Sequence, residues 1–132
     1  MGIQEIDHTA DCAIRVWAED LPALIGEAAR GMNQAAGARI GRGSRVERTV
    51  SFQAADAEGL LVQFLTELIF AQEHDNLGFD EFGIQMSRGK LTARLGGGSL
   101  ESVSKPIKAV TYHNLSIEQT PRGYETEIVF DV

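Results

Sequence analysis

At 132 residues, 43% of them hydrophobic, the chain is long enough for one domain with a real core and too apolar for a disordered one. Its formal net charge of −7 argues against a general nucleic-acid binder, which carries a basic face, and favours cations or a basic protein partner. Cys12 is the only cysteine, so no disulfide partner is expected and a reducing, cytoplasmic compartment is; no stretch reaches membrane-spanning length, and Met1–Asp7 lacks the basic start and apolar run of a signal peptide.

In chain order, a short strand is predicted near Ile3–Asp7. After His8-Thr9-Ala10-Asp11 comes a half-buried strand, with Cys12, Ile14, Val16 and Ala18 alternating onto one face. Asp11, just before it, can cap local backbone amides or ligate a metal. A helix follows: Asp20 suits the N-cap, Pro22 the first turn, and Leu21, Leu24, Ile25, Ala28, Met32 and Ala35 one apolar face that ends at Gly37.

Gly37 to Arg48 reads as a loop. Its arginines (Arg39, Arg42, Arg45 and Arg48) read as solvated charge or a patch for a negatively charged partner, and its glycines only faintly suggest a phosphate cradle. Val46–Ala54 reads as a strand. A second helix is predicted from about Ala57 to His74, capped by Asp56; it is apolar most of the way round, with Gln63, Thr66, Glu67 and His74 as its polar stripe. Phe82, Ile84 and Met86 alternate, as do Leu91, Ala93 and Leu95, and Arg88-Gly89 between them marks a hairpin. Leu95 to Lys105, with Gly96-Gly97-Gly98, reads as flexible linker.

The last stretch predicts a second hairpin. One arm is Ile107–Ile117, the turn is Thr120-Pro121-Arg122-Gly123, and the other arm is Tyr124–Val132. Pro121 presets φ at the second turn position and Gly123 can adopt a left-handed backbone. Pairing Thr120 with Tyr124 places His113 opposite Asp131 and Tyr112 opposite Val132. The sequence ends in an apolar strand, so its terminal carboxylate is expected to be held close to that of Asp131. Two such carboxylates repel unless a cation or a buried base joins them, and a solvated strand end is the plainer reading. The whole reads as α+β: a mixed, mostly antiparallel β-sheet with two helices packed together on one face.

No Ser-His-Asp spacing, Cys-x-x-Cys or His-Glu-x-x-His occurs, and His8, His74 and His113 form no local zinc motif. Asp11, Asp131 and the Val132 carboxylate are oxygen donors, which favour calcium, magnesium or manganese over zinc. Lys108 lies within an apolar alternation, as an edge-strand solubiliser or as a point charge for a carboxylate or phosphate.

His8-Thr9-Ala10-Asp11, Lys108-Ala109-Val110-Thr111-Tyr112-His113 and the ending Val129-Phe130-Asp131-Val132 resemble motifs of the archease family, as do Leu60-Leu61-Val62 and Glu67-Leu68. The resemblance covers essentially the whole chain. It implies a non-catalytic activator of an RtcB-type RNA ligase, promoting guanylylation and multiple turnover in tRNA splicing or RNA repair, with RNA met only through the ligase. It also implies a divalent cation, calcium in the first instance, on Asp11, Asp131 and Val132. Lys108 would act in ligase activation, with His8, His113 and Glu67 as candidates to support the ligands. The chain departs from the family pattern at Gln63, where an acidic residue is common, and in a shorter 96–105 segment. The alternative function is a stand-alone divalent-metal-dependent enzyme acting on a phosphorylated small molecule; no nucleophile or general base beside the candidate metal favours it.

Overall fold

A computed structural model describes residues 1–7 and 12–132; the expectations for His8 and Asp11 lie outside the described residues. The described chain forms two helices and eight strands in the order β1 (Gly2–Asp7), β2 (Cys12–Ala18), α1 (Leu21–Ala36), β3 (Ala38–Gln53), α2 (Ala57–Asp75), β4 (Leu77–Ser87), β5 (Lys90–Val103), β6 (Ala109–Val110), β7 (Glu118–Thr120) and β8 (Gly123–Asp131). The α+β class stands. The strands form two sheets, with every described pairing antiparallel: β1-β2-β8-β6 with β7 also on β8, and β3-β5-β4.

Local chemistry sets the helix ends. Asp20 accepts a hydrogen bond from Ala23 N at 2.8 Å, and Asp56 from Gly59 N at 2.8 Å, so each carboxylate pairs an amide that the first turn leaves free. Gly37 closes α1 in the left-handed region at φ 63°, and Asn76 does the same for α2 at φ 53°. The apolar face of α1 packs on β2 of one sheet and β4 of the other, and α2 touches β4 and β6. The helices therefore join the two sheets. Leu24, Ile25, Met32, Leu61, Phe64, Leu65, Ile128 and Phe130 fill the core between them, and Phe64 meets Phe82 edge-on at 6.2 Å.

Three expectations are corrected. Gly37–Arg48 is not a loop: β3 runs from Ala38 and pairs with β5, with bulges between Arg39 and Arg45. Its polar alternation belongs to an edge strand with charged side chains facing outwards. Arg45 pairs with Asp80 and Glu81, and Arg48 with Asp75 at 2.9 Å, so half of the expected arginine patch is spent on ion pairs within the chain. Nor is Leu95–Lys105 a flexible linker. β5 continues to Val103 as the central strand of its sheet; a Cβ at Gly97 or Gly98 would meet the backbone of β4 or β3, and one at Gly96 the Glu81 side chain.

The C-terminal hairpin is corrected in register. Thr120 faces Gly123, so Pro121 and Arg122 alone form the turn, with Gly123 at φ 103°. Asp131 faces Ala109 rather than His113. The first arm is not one strand. It pairs briefly as β6, leaves the ladder over residues 111–117, and returns as β7.

Candidate functional site

β8 is the strand that positions the site. It lies between β2 and β6, and its buried residues Ile128, Val129 and Phe130 fix its path up to Asp131. Lys108 N donates to Asp131 O at 2.8 Å, and Ala109 pairs with Asp131. Lys108, exposed at the start of this edge, is thus held at the end of β8 with Asp131 and Val132. Asp131 is exposed, and Val132 is half-buried against the core. On the other side of β8, Cys12 pairs with Phe130, so the residue after Asp11 is laddered to the residue before Asp131. Burial pushes the Cys12 thiol above its usual value, which makes it a poor nucleophile at neutral pH.

The other candidates stand apart. The His113 amide donates to Thr111 Oγ1 at 3.2 Å, and its ring lies 3.3 Å from Asn114 Nδ2, in the segment that leaves the ladder. Glu67 is half-buried on α2, with no hydrogen bond or ion pair to the chain end among the described residues. Gln63, at the position that departs from the family pattern, donates to Gln53 O at 3.0 Å, a structural role. Among the described residues no group of three histidine, cysteine, aspartate or glutamate side chains converges on a metal position, and no helix is long and apolar enough to cross a membrane.

Beside Lys108 lies a cavity of about 450 Å³. Its floor is apolar (Ile69, Leu100, Val103 and Ile107), and Lys108 and Glu73 flank it with opposite charges. Sequence reasoning missed this cavity because its lining comes from α2, β5 and the start of the last segment. It also missed Glu58, whose Oε2 accepts from Ile117 N at 2.9 Å across 59 residues.

A charged cluster sits at the far end of β8. Arg122 donates to Glu125 from Nε at 3.2 Å and from Nη2 at 3.1 Å, Arg15 adds a bond at 3.3 Å, and the Arg122 guanidinium lies 3.9 Å over the Trp17 ring. The hydrogen bond from Arg122, with a smaller contribution from Arg15, holds the Glu125 carboxyl below its ordinary value of 4.5. A carboxyl lowered on folding stabilises the fold above that ordinary value, and the contribution fades as pH falls through the lowered one. Melting temperatures of the unchanged protein and Glu125→Gln should therefore differ at pH 7 and converge as pH falls below about 4. A gap that stays constant down to pH 3 would remove this role for Glu125.

The Archease protein family (MTH1598/TM1083) matches residues 4–132. The chain belongs to the archease family. Among archeases, the protein from Archaeoglobus fulgidus is 31% identical over 137 residues, and that from Methanopyrus kandleri 29% identical over 140, each alignment covering 100% of both chains. The solution structure of Methanobacterium thermoautotrophicum protein 1598 superposes with a TM-score of 0.72 at 20% identity, covering 99% of each chain. The Thermotoga maritima archease, described as a possible chaperone, superposes with a TM-score of 0.71 at 21% identity, covering 98% of this chain and 96% of that one. At these identities the structures establish the archease fold. The family match then bears on the chain-end motifs: Lys108 and Asp131, far apart in sequence, lie one backbone hydrogen bond apart.

Proposed function

We propose that this archease is a non-catalytic activator of an RtcB-type RNA ligase, promoting its guanylylation and repeated turnover in tRNA splicing or RNA repair. The family match over residues 4–132 carries the reading. The description of the Thermotoga maritima relative as a possible chaperone agrees with the coarser idea of a protein partner. The meeting of Lys108, Asp131 and Val132 at one end of β8 supports a working face there. Asp131, exposed, and Val132 offer oxygen donors of the kind a hard cation takes, so the residues fit such a group. Asp11, Asp131 and Val132 would hold the cation, calcium before magnesium or manganese, and it would supply fixed positive charge at this end of the strand. Lys108 would meet a carboxylate or phosphate of the ligase complex.

Mixing tests the proposal. Given RNA with 3′-phosphate and 5′-hydroxyl ends, the purified protein alone should join nothing. Added substoichiometrically to its cognate ligase, it should raise the number of turnovers. Lys108→Ala should keep the melting profile within about 0.5 kcal/mol, because the side chain is exposed, yet lower guanylylation several-fold. Ligation without ligase, or turnover that stays at one round, would reject the proposal. Joint loss of fold and activation would make Lys108 structural.

A further inference from the structure

The segment between β6 and β7 is held by an unusual set of tethers. Nine residues separate Ala109 from Glu118, but only six separate their partners Glu125 and Asp131. Three extra residues must leave the ladder, and their amides lose the partners that β8 would offer. Leu115 and Ile117 turn towards the core, while Tyr112, 63% exposed, projects outwards with His113 and Asn114. The turn closes through Leu115 N to Tyr112 O at 3.1 Å, with Asn114 in the left-handed region at φ 52°.

The flanks are pinned from three directions. Thr111 N donates to Val129 O at 3.0 Å. The buried Thr126 hydroxyl donates to Ser116 O at 3.0 Å. On the third side the Glu58 carboxylate of α2, rather than a strand carbonyl among the described residues, accepts from the half-buried Ile117 amide at 2.9 Å. Glu58 lies in the first turn of α2. This tether reaches the segment from α2, whereas the other two come from β8.

We propose that Glu58 is a positioning residue for partner binding: by holding Ile117 it presents the Tyr112–Asn114 turn, preformed, to the protein partner. The inference rests on the ligase reading above for the partner's identity. A large aromatic on a rigid support gives up little freedom on docking, so its fixed presentation contributes to affinity more than to the chemical step. Glu58 should therefore govern the concentration at which the protein activates the ligase and leave the plateau rate at saturation unchanged.

The test uses the full chain as Glu58→Ala, Glu58→Gln and Glu58→Asp. Two quantities are read: amide hydrogen exchange at Ile117, without ligase, and guanylylation rate against protein concentration. Glu58→Ala should lower Ile117 protection by about tenfold or more and raise the half-activating concentration by a similar factor at an unchanged plateau. Glu58→Gln, which keeps an acceptor, should restore both. Glu58→Asp, which keeps the charge but is one methylene short, should behave like Glu58→Ala and decides the matter if Glu58→Ala does not fold. Ile117 protection that falls while the half-activating concentration stays put would make the bond merely structural and overturn the proposal. So would unchanged Ile117 protection. If the unchanged protein does not activate the ligase, the ligase reading fails and this role with it, an outcome distinct from a failure confined to the Glu58 variants.

Discussion

Replacing Gly97 with alanine should lower stability by about 3 kcal/mol or more, a large share of the roughly 5–15 kcal/mol that holds a domain of this size. Gly97 lies in the middle of β5, between Val46 of β3 and Phe79 of β4. A Cβ there would run into the Gly78 carbonyl and the Phe79 Cα, which are backbone atoms that cannot swing aside. The two edge strands would have to part, or the β4 bulge between Phe79 and Glu81 would have to shift. Gly43→Ala is the matched control: nothing lies within 4 Å of the added methyl, and its cost should stay within about 0.5 kcal/mol. Thermal melting would separate the two by roughly 10 °C. Equal melting temperatures would mean that the sheet yields easily at its centre.

That glycine run also shows where sequence reasoning reached its limit. Three consecutive glycines carry no side-chain periodicity, so they read as linker. Their role is set by how closely β3 and β4 approach, a fact about residues well outside the run itself. Only the second half of β3, from Val46, read as a strand; its first half was hidden for a related reason, since Asp80 and Glu81, the partners of Arg45, lie on β4. Signals that act within one turn of chain were legible. Asp20, Asp56 and Gly37 mark helix ends by local hydrogen bonds and local φ, and the Arg88-Gly89 hairpin has its apolar pairs Met86–Leu91 and Ile84–Ala93 in direct register.

The chain-end site was legible in part. The motif residues Lys108 and Asp131 do meet, but Asp131 faces Ala109 and not His113. The register from the turn was out by one residue, and a three-residue excursion then intervened before β6. Nothing near Tyr112 in the sequence announces that excursion, because the acceptor that steadies it is Glu58, on a helix that precedes it by more than 50 residues.

Asp131→Asn should abolish most cation binding and, with it, activation of the ligase. The ladder makes the prediction specific. Ala109 pairing and the 2.8 Å bond from Lys108 N to Asp131 O hold the backbone, so the substitution changes the side chain's charge and leaves its position alone. A hard cation needs formal negative charge from its few protein oxygens, and water fills the rest of its about six to eight positions. Losing one carboxylate of three should therefore weaken calcium binding by at least about tenfold. Asp11→Asn should do the same. Two residues added after Val132 would turn its carboxylate into a neutral amide and crowd the same face, with a loss of similar size. The same two residues before Met1 should change neither binding nor activation. Calorimetric titration of calcium into the unchanged protein and the four variants reads the affinities, and guanylylation assays read the consequence. Equal calcium affinity with and without the C-terminal addition would remove Val132 from the ligand set. Equal affinity for Asp131→Asn would remove the cation site from the end of β8 altogether.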